Sequence, residues 1–447
     1  MTTAIVGGGI MGMTAGYILA SRGVPVHVFE HSPVLGGLAG PMTLQDGTEV
    51  DRYYHAILST DEHLRALCQE LGIVDQLRFQ QTRTGVYMGG GIHQMSDIWQ
   101  FLNFQPLPPI DRLRLGLSIF SAQRTKRWET LETVSLEDYL VAKGGRRLFD
   151  TFWAPMLNAK FDGEYDQVPA TWMWSRFVRT TAGRKGVKQQ ELTGHLIGGY
   201  ATLMKAMADA ITSRGGRVHL NTPVHEVVVS NGCCSGLRLA DGFHAYDRVV
   251  VTTQMPVAAR LLPGAPQAYR DSLTRFRYLG IVCPLLVLDR PLSDYWVTNV
   301  ADRSVPVTGV IETTSYIDPK YVGGHHLVYV PKYTAPDSTW MKASDEEIRS
   351  RWMEALTRIF PALKPAHVKE FRVHRERLVE PLRNVADSAT VPGVETPIQH
   401  LHLVTTAQIY PALTNGESVT AHARQAANDI LGRLAIATGH ASPRSAA

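Results

Sequence analysis

The first thirty residues combine two short apolar runs with a helical pattern between them. Ala4, Ile5 and Val6 form a continuous apolar run, which is typical of a strand buried on both faces. The next segment, IMGMTAGYILASRG, has apolar residues at helical spacing and ends on Gly23, a suitable C-cap. VPVHVFE then alternates as a second strand that closes with Glu30. The pattern therefore predicts a strand–helix–strand unit.

The middle of the chain shows the same two periodicities. Leu203, Met207 and Ile211 lie on one face of a predicted helix. RVHLNTPVHEVVV follows and predicts two strands that are separated at Pro223. Further along, RYLGIVCPLLVLDRPL and HHLVYVPKY have the apolar character of strands and predict a separate sheet.

The last hundred residues predict one more strand and one more helix. HLHLV, around residues 400–404, has the apolar character of a strand. A helical pattern follows from about Glu417, with Gly416 before it and Ser418 in its first turn. The chain is therefore expected to return to an α/β arrangement near its end.

Composition and charge narrow the class of protein. With 447 residues the chain is long enough for two domains. The net charge of +4 is too small and too dispersed to predict nucleic-acid binding, although it permits an anionic substrate. The four cysteines lack the spacing of a metal site, so we expect no metal and a reducing, cytoplasmic compartment. No apolar run reaches the roughly 18 residues of a spanning helix.

The turn after the first strand carries candidate chemistry. Gly7 permits a tight turn, Gly9 lets the backbone approach a pyrophosphate, and Gly12 lets the helix pack closely on the strand. Ile10 and Met11 begin the helix, where unpaired N–H groups and the helix dipole favour phosphate. A glycine-rich turn that binds no nucleotide is the alternative.

Two later features favour one dinucleotide over another. Glu30 closes the second strand, where its carboxylate can accept hydrogen bonds from a ribose diol. The pair Gly36 and Gly37, followed by Leu38, lets a second loop lie against the cofactor, and the longer cofactor FAD needs such a cradle. We therefore predict FAD rather than NAD.

These motifs resemble the FAD-dependent amine oxidase superfamily, which includes protoporphyrinogen oxidases and phytoene desaturases. The family usually has Arg where this chain has Leu38. The resemblance implies that the main chain at Val224 contacts the adenine and that the helix after Gly416 points at the flavin pyrimidine. Near the last strand the family usually has Gly-Asp, whereas this chain has Ala407-Gln408. A cofactor contact by Gln408 is therefore expected but departs from the pattern.

The resemblance also implies the architecture. We expect an α/β fold, with a Rossmann-like FAD-binding domain in a three-layer (ββα) arrangement and a second, mixed α+β substrate-binding domain. The FAD-binding domain would be assembled from residues 1–60, 195–275 and 380–447. The substrate-binding domain would comprise residues 61–194 and 276–379.

The resemblance suggests where the reaction takes place, but the catalytic residues remain open. His55 and its neighbour Tyr54 would lie beside the flavin ring, although His55 is equally compatible with a structural role. Lys160 follows in an aromatic stretch and is a third catalytic candidate. Candidates for contact with the substrate are Trp153, Arg176, Arg179 and Tyr410. The aromatic members could instead form the core of a helical subdomain.

One further segment, PLPPIDRLRLGLSIFSAQRTKR, predicts an amphipathic helix with basic flanks. Its apolar positions are Ile110, Leu113, Leu117 and Phe120. Such a face would suit peripheral contact with anionic lipid, although a solvated amphipathic helix is the more ordinary interpretation.

These observations lead to three hypotheses about the function of the protein. The first is a FAD-dependent oxidoreductase that removes a hydride, through flavin N5, from a C–H or C–N bond of a bulky or anionic small-molecule substrate. The second is a flavin-dependent isomerase of the UDP-galactopyranose mutase type, because the segment around His55 is similar to one in those enzymes. The third is a flavoprotein without catalytic activity.

Overall fold

The computed structural model describes residues 1–96, 98–182 and 192–437. The strands within them, numbered in chain order, are β1 Thr3–Val6, β2 Val26–Phe29, β3 Pro41–Thr43, β4 Glu49–Asp51, β5 Ile57–Leu58, β6 Leu77–Gln81, β7 Thr84–Met88, β8 Gly91–Gln94, β9 Leu192–Leu196, β10 Arg217–His219, β11 Glu226–Ser230, β12 Cys233–Leu239, β13 Gly242–Ala245, β14 Arg248–Val251, β15 Tyr278–Leu288, β16 Val297–Val300, β17 Gly309–Glu312, β18 His326–Tyr329, β19 Lys332–Thr334, β20 Val368–Pro381 and β21 Leu401–Leu403.

The α-helices of the same residues are α1 Ile10–Ser21, α2 Glu62–Glu70, α3 Ile98–Leu102, α4 Pro109–Arg124, α5 Leu136–Gly144, α6 Arg146–Leu148, α7 Ala154–Phe161, α8 Thr171–Ala182, α9 Tyr200–Thr212, α10 Met255–Leu261, α11 Gln267–Thr274, α12 Thr339–Lys342, α13 Asp345–Ile359 and α14 Gly416–Ala437. A π-helix, Phe149–Trp153, joins α6 to α7.

A five-stranded parallel sheet organises the first domain. Its strand order is β10-β2-β1-β14-β21, and every neighbouring pair is parallel. The helices α1, α9 and α14 pack on one face, and the antiparallel strands β11-β12-β13 cover the other. Because both faces are covered, the central strands β1 and β14 consist mainly of buried apolar residues. This arrangement confirms the predicted Rossmann-like domain of three layers.

The second domain is mixed, also as predicted. Its large sheet has the order β19-β15-β18-β17-β16-β7-β8, and β20 pairs with β15 over almost its whole length. The helix α13 covers one face through the buried Ile348, Trp352 and Leu356. The helices α4, α5, α7 and α8 form a separate helical block with its own apolar core.

The helix α2 begins just after residue 60, the predicted end of the first cofactor-domain segment, and shares the core of α1 and α14. Leu64, Leu67 and Cys68 of α2 are buried in the same core as α1 and α14. The Glu417 carboxylate of α14 accepts hydrogen bonds from the backbone N–H groups of His63 and Leu64, at 2.9 and 2.8 Å. A carboxylate at a helix start satisfies unpaired donors and the dipole, so α14 anchors α2.

The helix α4 exposes an apolar face. Ile110, Leu113, Leu117 and Phe120 are each about half exposed, between 48% and 56%. The positions recur at helical spacing, so they form one stripe along α4. Within the described ranges, no helix combines the length and the hydropathy that crossing a bilayer would require.

Candidate functional site

Three glycines shape the turn between β1 and α1, each for a different reason. Gly7 has a φ of +114°, and a Cβ on it would lie 2.6 Å from Thr252 Oγ1. A Cβ on Gly12 would lie 2.0 Å from the Gly7 carbonyl oxygen, so only glycine lets α1 pack this closely on β1. A Cβ on Gly9 would approach only the Gly36 carbonyl oxygen, at 3.8 Å. Gly9 therefore faces open space at the start of the helix.

The start of α1 offers unpaired donors to that space. The first helical hydrogen bond runs from Met13 N–H to the Gly9 carbonyl, at 2.9 Å. No side chain caps the helix at Gly9. The N–H groups of Ile10, Met11 and Gly12 thus have no partner within the helix, and they lie at its positive end. This arrangement fits a pyrophosphate.

The second glycine loop lies directly against the first. Gly36 N–H donates to the Gly8 carbonyl at 2.8 Å, and Gly36 and Gly37 both have positive φ. A Cβ on Gly37 would stand 3.5 Å from Gly9 Cα. Leu38 packs against apolar residues of the second domain. The two loops therefore form one continuous cradle, as FAD requires.

Glu30 closes the cradle on the side of β2. Its side chain is buried, and its carboxylate accepts hydrogen bonds from Gly8 N–H at 2.7 Å and Ser32 N–H at 2.9 Å. The Glu30 carbonyl accepts from Thr222 N–H, two residues before Val224. The loop containing Val224 thus lies beside Glu30, where an adenosine bound by this cradle would be expected.

The start of α14 completes the other end of the site. Asn415 Oδ1 accepts from Ser418 N–H at 3.2 Å, and Ser418 Oγ accepts from Asn415 N–H at 3.1 Å, which caps the helix. A Cβ on Gly416 would lie 2.6 Å from the Tyr200 hydroxyl. The Tyr200 ring lies 5.4 Å from the ring of His55. The structure thus brings His55 and the start of α14 together.

His55 is held in one orientation. Its Nδ1 donates to the Tyr53 carbonyl at 3.0 Å. Burial lowers the pKa of His55, so its imidazole is neutral around pH 7. A neutral, oriented imidazole can accept a proton or a hydrogen bond at its other nitrogen.

Tyr54 points to a different cluster, which includes Lys160. The hydroxyls of Tyr54 and Tyr333 are 3.3 Å apart, and Lys160 Nζ lies 3.5 Å from the centre of the Tyr333 ring. Lys160 also pairs with Glu380 at 3.1 Å. Burial raises the pKa of both tyrosines well above the ordinary value, so both hydroxyls remain protonated. Tyr333 and Glu380 lie far along the chain and carry no local motif, so the sequence did not indicate them.

Two of the residues predicted to contact substrate have close partners within the protein. Trp153 is 6% exposed and packs against Phe152 and Phe177 in the core of the helical block. Arg179 pairs with the buried Asp61 at 2.9 Å. The charge of Arg179 is paired with Asp61, and the Trp153 ring is packed in the core of the helical block.

Arg176 and Tyr410 remain near the cleft. The Arg176 guanidinium lies 5.7 Å from the centre of the Trp172 ring. The hydroxyls of Tyr410 and Thr171 are 2.8 Å apart. Tyr410 and Trp172 both line a cavity between the helical block, the end of β20 and the loop before α14.

The side chain of Gln408, a predicted cofactor contact, is hydrogen-bonded within its own part of the chain. Its amide nitrogen donates to the carbonyls of Pro392 and Leu403, both at 3.0 Å. Its amide oxygen lies 2.9 Å from Thr405 N and 3.0 Å from His422 Nε2. The side chain is thus saturated within its own loop, and only the main chain at Gln408 is left to contact a cofactor.

A second cavity lies behind His55 and contains buried ionisable groups. Asp51 accepts a hydrogen bond from Tyr200 N–H at 3.0 Å, and burial raises the pKa of Asp51 to about 7. His195 is 5% exposed, and neither of its ring nitrogens has a partner within the described residues. Both residues line this cavity, together with Tyr316 and Tyr321. Among the described residues, no group of three or more His, Cys, Asp or Glu side chains is arranged to hold a metal ion.

Comparison with known proteins agrees with this geometry. Residues 10–431 match the family of flavin containing amine oxidoreductases, and the chain belongs to that family. The protein is accordingly a FAD-dependent oxidoreductase.

Individual relatives are distant. A probable zeta-carotene desaturase of Synechococcus elongatus is 24% identical over 68% of each chain. The crystal structure of an oxidoreductase from Methanosarcina mazei has a TM-score of 0.75 at 21% identity, over 95% of this chain and 99% of that one. A reduced UDP-galactopyranose mutase has a TM-score of 0.75 at 14% identity, over 99% of this chain and 96% of that one. These likenesses to solved structures show a shared fold.

Proposed function

We propose that the protein dehydrogenates a bulky or anionic organic substrate in the cleft between its domains. The supporting observation is the position of the cavity lined by Tyr410, Leu413 and Thr414. Gly416 begins α14 only two residues after Thr414. The loop that precedes α14 therefore also lines the space in which a substrate would bind.

The residues of the chain have separable tasks in this proposal. Bound FAD would supply the hydride-accepting chemistry. The α1 start would bind the phosphates, Glu30 would bind the ribose, and the positive end of the α14 dipole would favour negative charge beside it. Tyr54 and Tyr333 provide protonated hydroxyls at the cleft, and the aromatic walls of the cavity exclude water.

A C–H bond is the favoured target. The sequence relative described above is named as a desaturase of zeta-carotene, an activity that removes hydrogen from carbon. The cavity walls include Phe161, Trp172 and Leu382, which suit an apolar substrate body. A C–N bond is the second option within the same class of reaction.

The mutase alternative has weaker support. It requires cations placed for a sugar-nucleotide diphosphate, and we considered Arg176 and Arg179 for this role. Arg179 is held by Asp61. The likeness to the reduced mutase concerns the fold alone.

Reduction of the bound flavin tests the proposal. The purified yellow holoenzyme is mixed without oxygen with polyene precursors, amines, porphyrinogens and sugar nucleotides. We expect loss of the oxidised flavin absorbance with one of the first three classes. Bleaching by none of them, combined with sugar-nucleotide turnover only after dithionite reduction, would replace the dehydrogenase with the mutase.

We also propose that the exposed stripe of α4 rests on an anionic membrane surface. The four apolar side chains of the stripe would enter the interface between headgroups and acyl chains. Arg124, Lys126 and Arg127 at the end of α4 are exposed and match the charge of anionic headgroups. Such contact would give an apolar substrate a short path from lipid to the protein.

A further inference from the structure

The cavity beside α14 contains a guanidinium without an acidic partner. Arg383 follows β20 and lines this cavity. Its Nη2 donates to the Ala407 carbonyl, and its guanidinium lies 5.2 Å from the centre of the Tyr410 ring. Its Nη1 is buried and has no hydrogen-bond partner among the described residues. One donor nitrogen of a fixed cation is therefore unused.

A second unused donor lies on the wall of the same cavity. The indole Nε1 of Trp172 is also buried, and the described residues offer it no acceptor. Buried N–H donors are rarely left unpaired, because the lost hydrogen bond to water is not replaced. Both residues line one cavity, where a bound acceptor would replace the missing partners.

The nearby acidic side chains are committed elsewhere. Glu380 pairs with Lys160 at 3.1 Å. Asp387 accepts from Thr390 Oγ1 at 2.7 Å, and Glu132 accepts from Ser388 N–H at 2.9 Å. Both act on Arg383 only at longer range, and burial lowers the pKa of Arg383 below its ordinary value. The cation is thus desolvated without a compensating ion pair.

The backbone holds Arg383 in place. Leu382 N–H donates to the Arg277 carbonyl, and Val385 N–H donates to the Gln167 carbonyl, at 2.9 and 2.8 Å. These bonds tie the loop on both sides of Arg383 to the neighbouring segments. Because the side chain is already ordered, it loses little conformational entropy when it binds an anion.

We propose that Arg383 and the Trp172 indole N–H bind the carboxylate of an organic acid whose apolar body lies against Phe161, Tyr410 and Leu413. A carboxylate matches the planar guanidinium and accepts from both donors at once. This assignment rests on the proposed function and narrows its substrate class to acids with an aromatic or polyene body. Arg383 thereby replaces Arg179 as the anion-binding residue of the cleft.

Binding of a probe acid tests the assignment without turnover. Benzoate and its uncharged analogue benzamide are titrated into the oxidised holoenzyme, and dissociation constants are taken from calorimetry and from the flavin difference spectrum. We expect benzoate to bind at least about tenfold more tightly than benzamide. Arg383→Gln should weaken benzoate binding about tenfold or more and leave benzamide binding and FAD content unchanged. Arg383→Lys should recover part of the loss.

Two further variants keep the result decisive. Arg377→Gln removes an exposed charge from β20, the strand that precedes Arg383, at a position outside the cavity, and should bind benzoate like the wild type. Trp172→Phe keeps an aromatic side chain but removes the indole N–H, and it should weaken benzoate binding about threefold to tenfold. If Arg383→Gln fails to fold, Trp172→Phe gives the answer, and unchanged benzoate binding overturns the assignment. Equal affinity of the wild type for benzoate and benzamide also overturns it.

The two proposals fail separately. An enzyme that binds benzoate through Arg383 but is bleached by no substrate retains the acid site and loses the dehydrogenase function. An enzyme that is bleached by neutral substrates, and whose Arg383→Gln variant binds benzoate normally, retains the function and loses the acid site.

Discussion

At the scale of single residues, Gly9 differs from its neighbours in what a side chain there would meet. Gly7 and Gly12 are fixed by contacts within the protein, whereas a Cβ on Gly9 would meet only one carbonyl oxygen at 3.8 Å. Its φ of −75° is accessible to any residue. The fold therefore does not require glycine at this position, and the space beside Gly9 is left for the cofactor.

Gly9→Leu should separate folding from cofactor binding. The side chain would occupy the space at the α1 start, so we expect FAD affinity to fall by at least about tenfold while the circular dichroism spectrum is retained. Flavin absorbance per protein after gel filtration measures the loss. Gly432→Leu on α14, where nothing lies within 4 Å of a Cβ, serves as the control. A Gly9→Leu protein with full yellow colour would contradict the cofactor site.

Individual residues differ in how far their roles can be predicted from the sequence. Gly12 packs on Gly7, and Glu30 accepts from Gly8 N–H, inside one strand–helix–strand unit, so local patterns were sufficient to single out these residues. Arg383 is defined by a missing partner, which only the tertiary structure shows. Arg179 illustrates the opposite case, because nothing near it in the sequence indicated that Asp61 would take its charge.

At the scale of elements, α14 links three parts of the molecule. Its start lies beside Tyr200, its body packs on α1, and Glu417 anchors α2. The helix was predicted to begin at about Glu417 and begins at Gly416. Its apolar pattern could not show that α2 shares the same core, because periodicity defines a buried face but not the element that covers it.

Substitutions on α4 test the membrane proposal. Leu113→Glu combined with Leu117→Glu places charge on the exposed stripe, and we expect binding to phosphatidylglycerol vesicles to weaken about tenfold. Co-sedimentation measures the bound fraction. Phe243→Glu, at an equally exposed position on β13, should bind like the wild type. If the wild-type protein stays in the supernatant when these vesicles are pelleted, the proposal is refuted.

At the scale of the whole molecule, buried ionisable groups link stability to pH. Glu312, on the large sheet, is 1% exposed and accepts hydrogen bonds from the N–H groups of Leu292 and Ser293. Burial raises its pKa from 4.5 to about 7 despite these bonds. Between these two values the folded protein retains a proton that the unfolded chain releases, so stability falls as pH rises.

Glu312→Gln should remove this pH dependence. As pH rises from about 4.5 to about 7, the wild type should lose on the order of 3 kcal/mol that the variant does not lose. Urea unfolding at several pH values measures the difference, and all other titrating groups are common to both proteins. Parallel profiles for the two proteins would show that Glu312 is ionised when folded.

The assembly of the parallel sheet has a consequence for biosynthesis. The nucleotide loop follows β1, but the helix that covers α1 begins at Gly416, about four hundred residues later. A ribosome needs on the order of tens of seconds to make that stretch. Throughout this time α14 is not yet available to cover the apolar surface of α1. The nascent chain also lacks any flavin contact that α14 would make. This early segment is thus among the last to be finished, so chaperone capture of the nascent chain and cofactor supply at chain release would govern the yield of active enzyme.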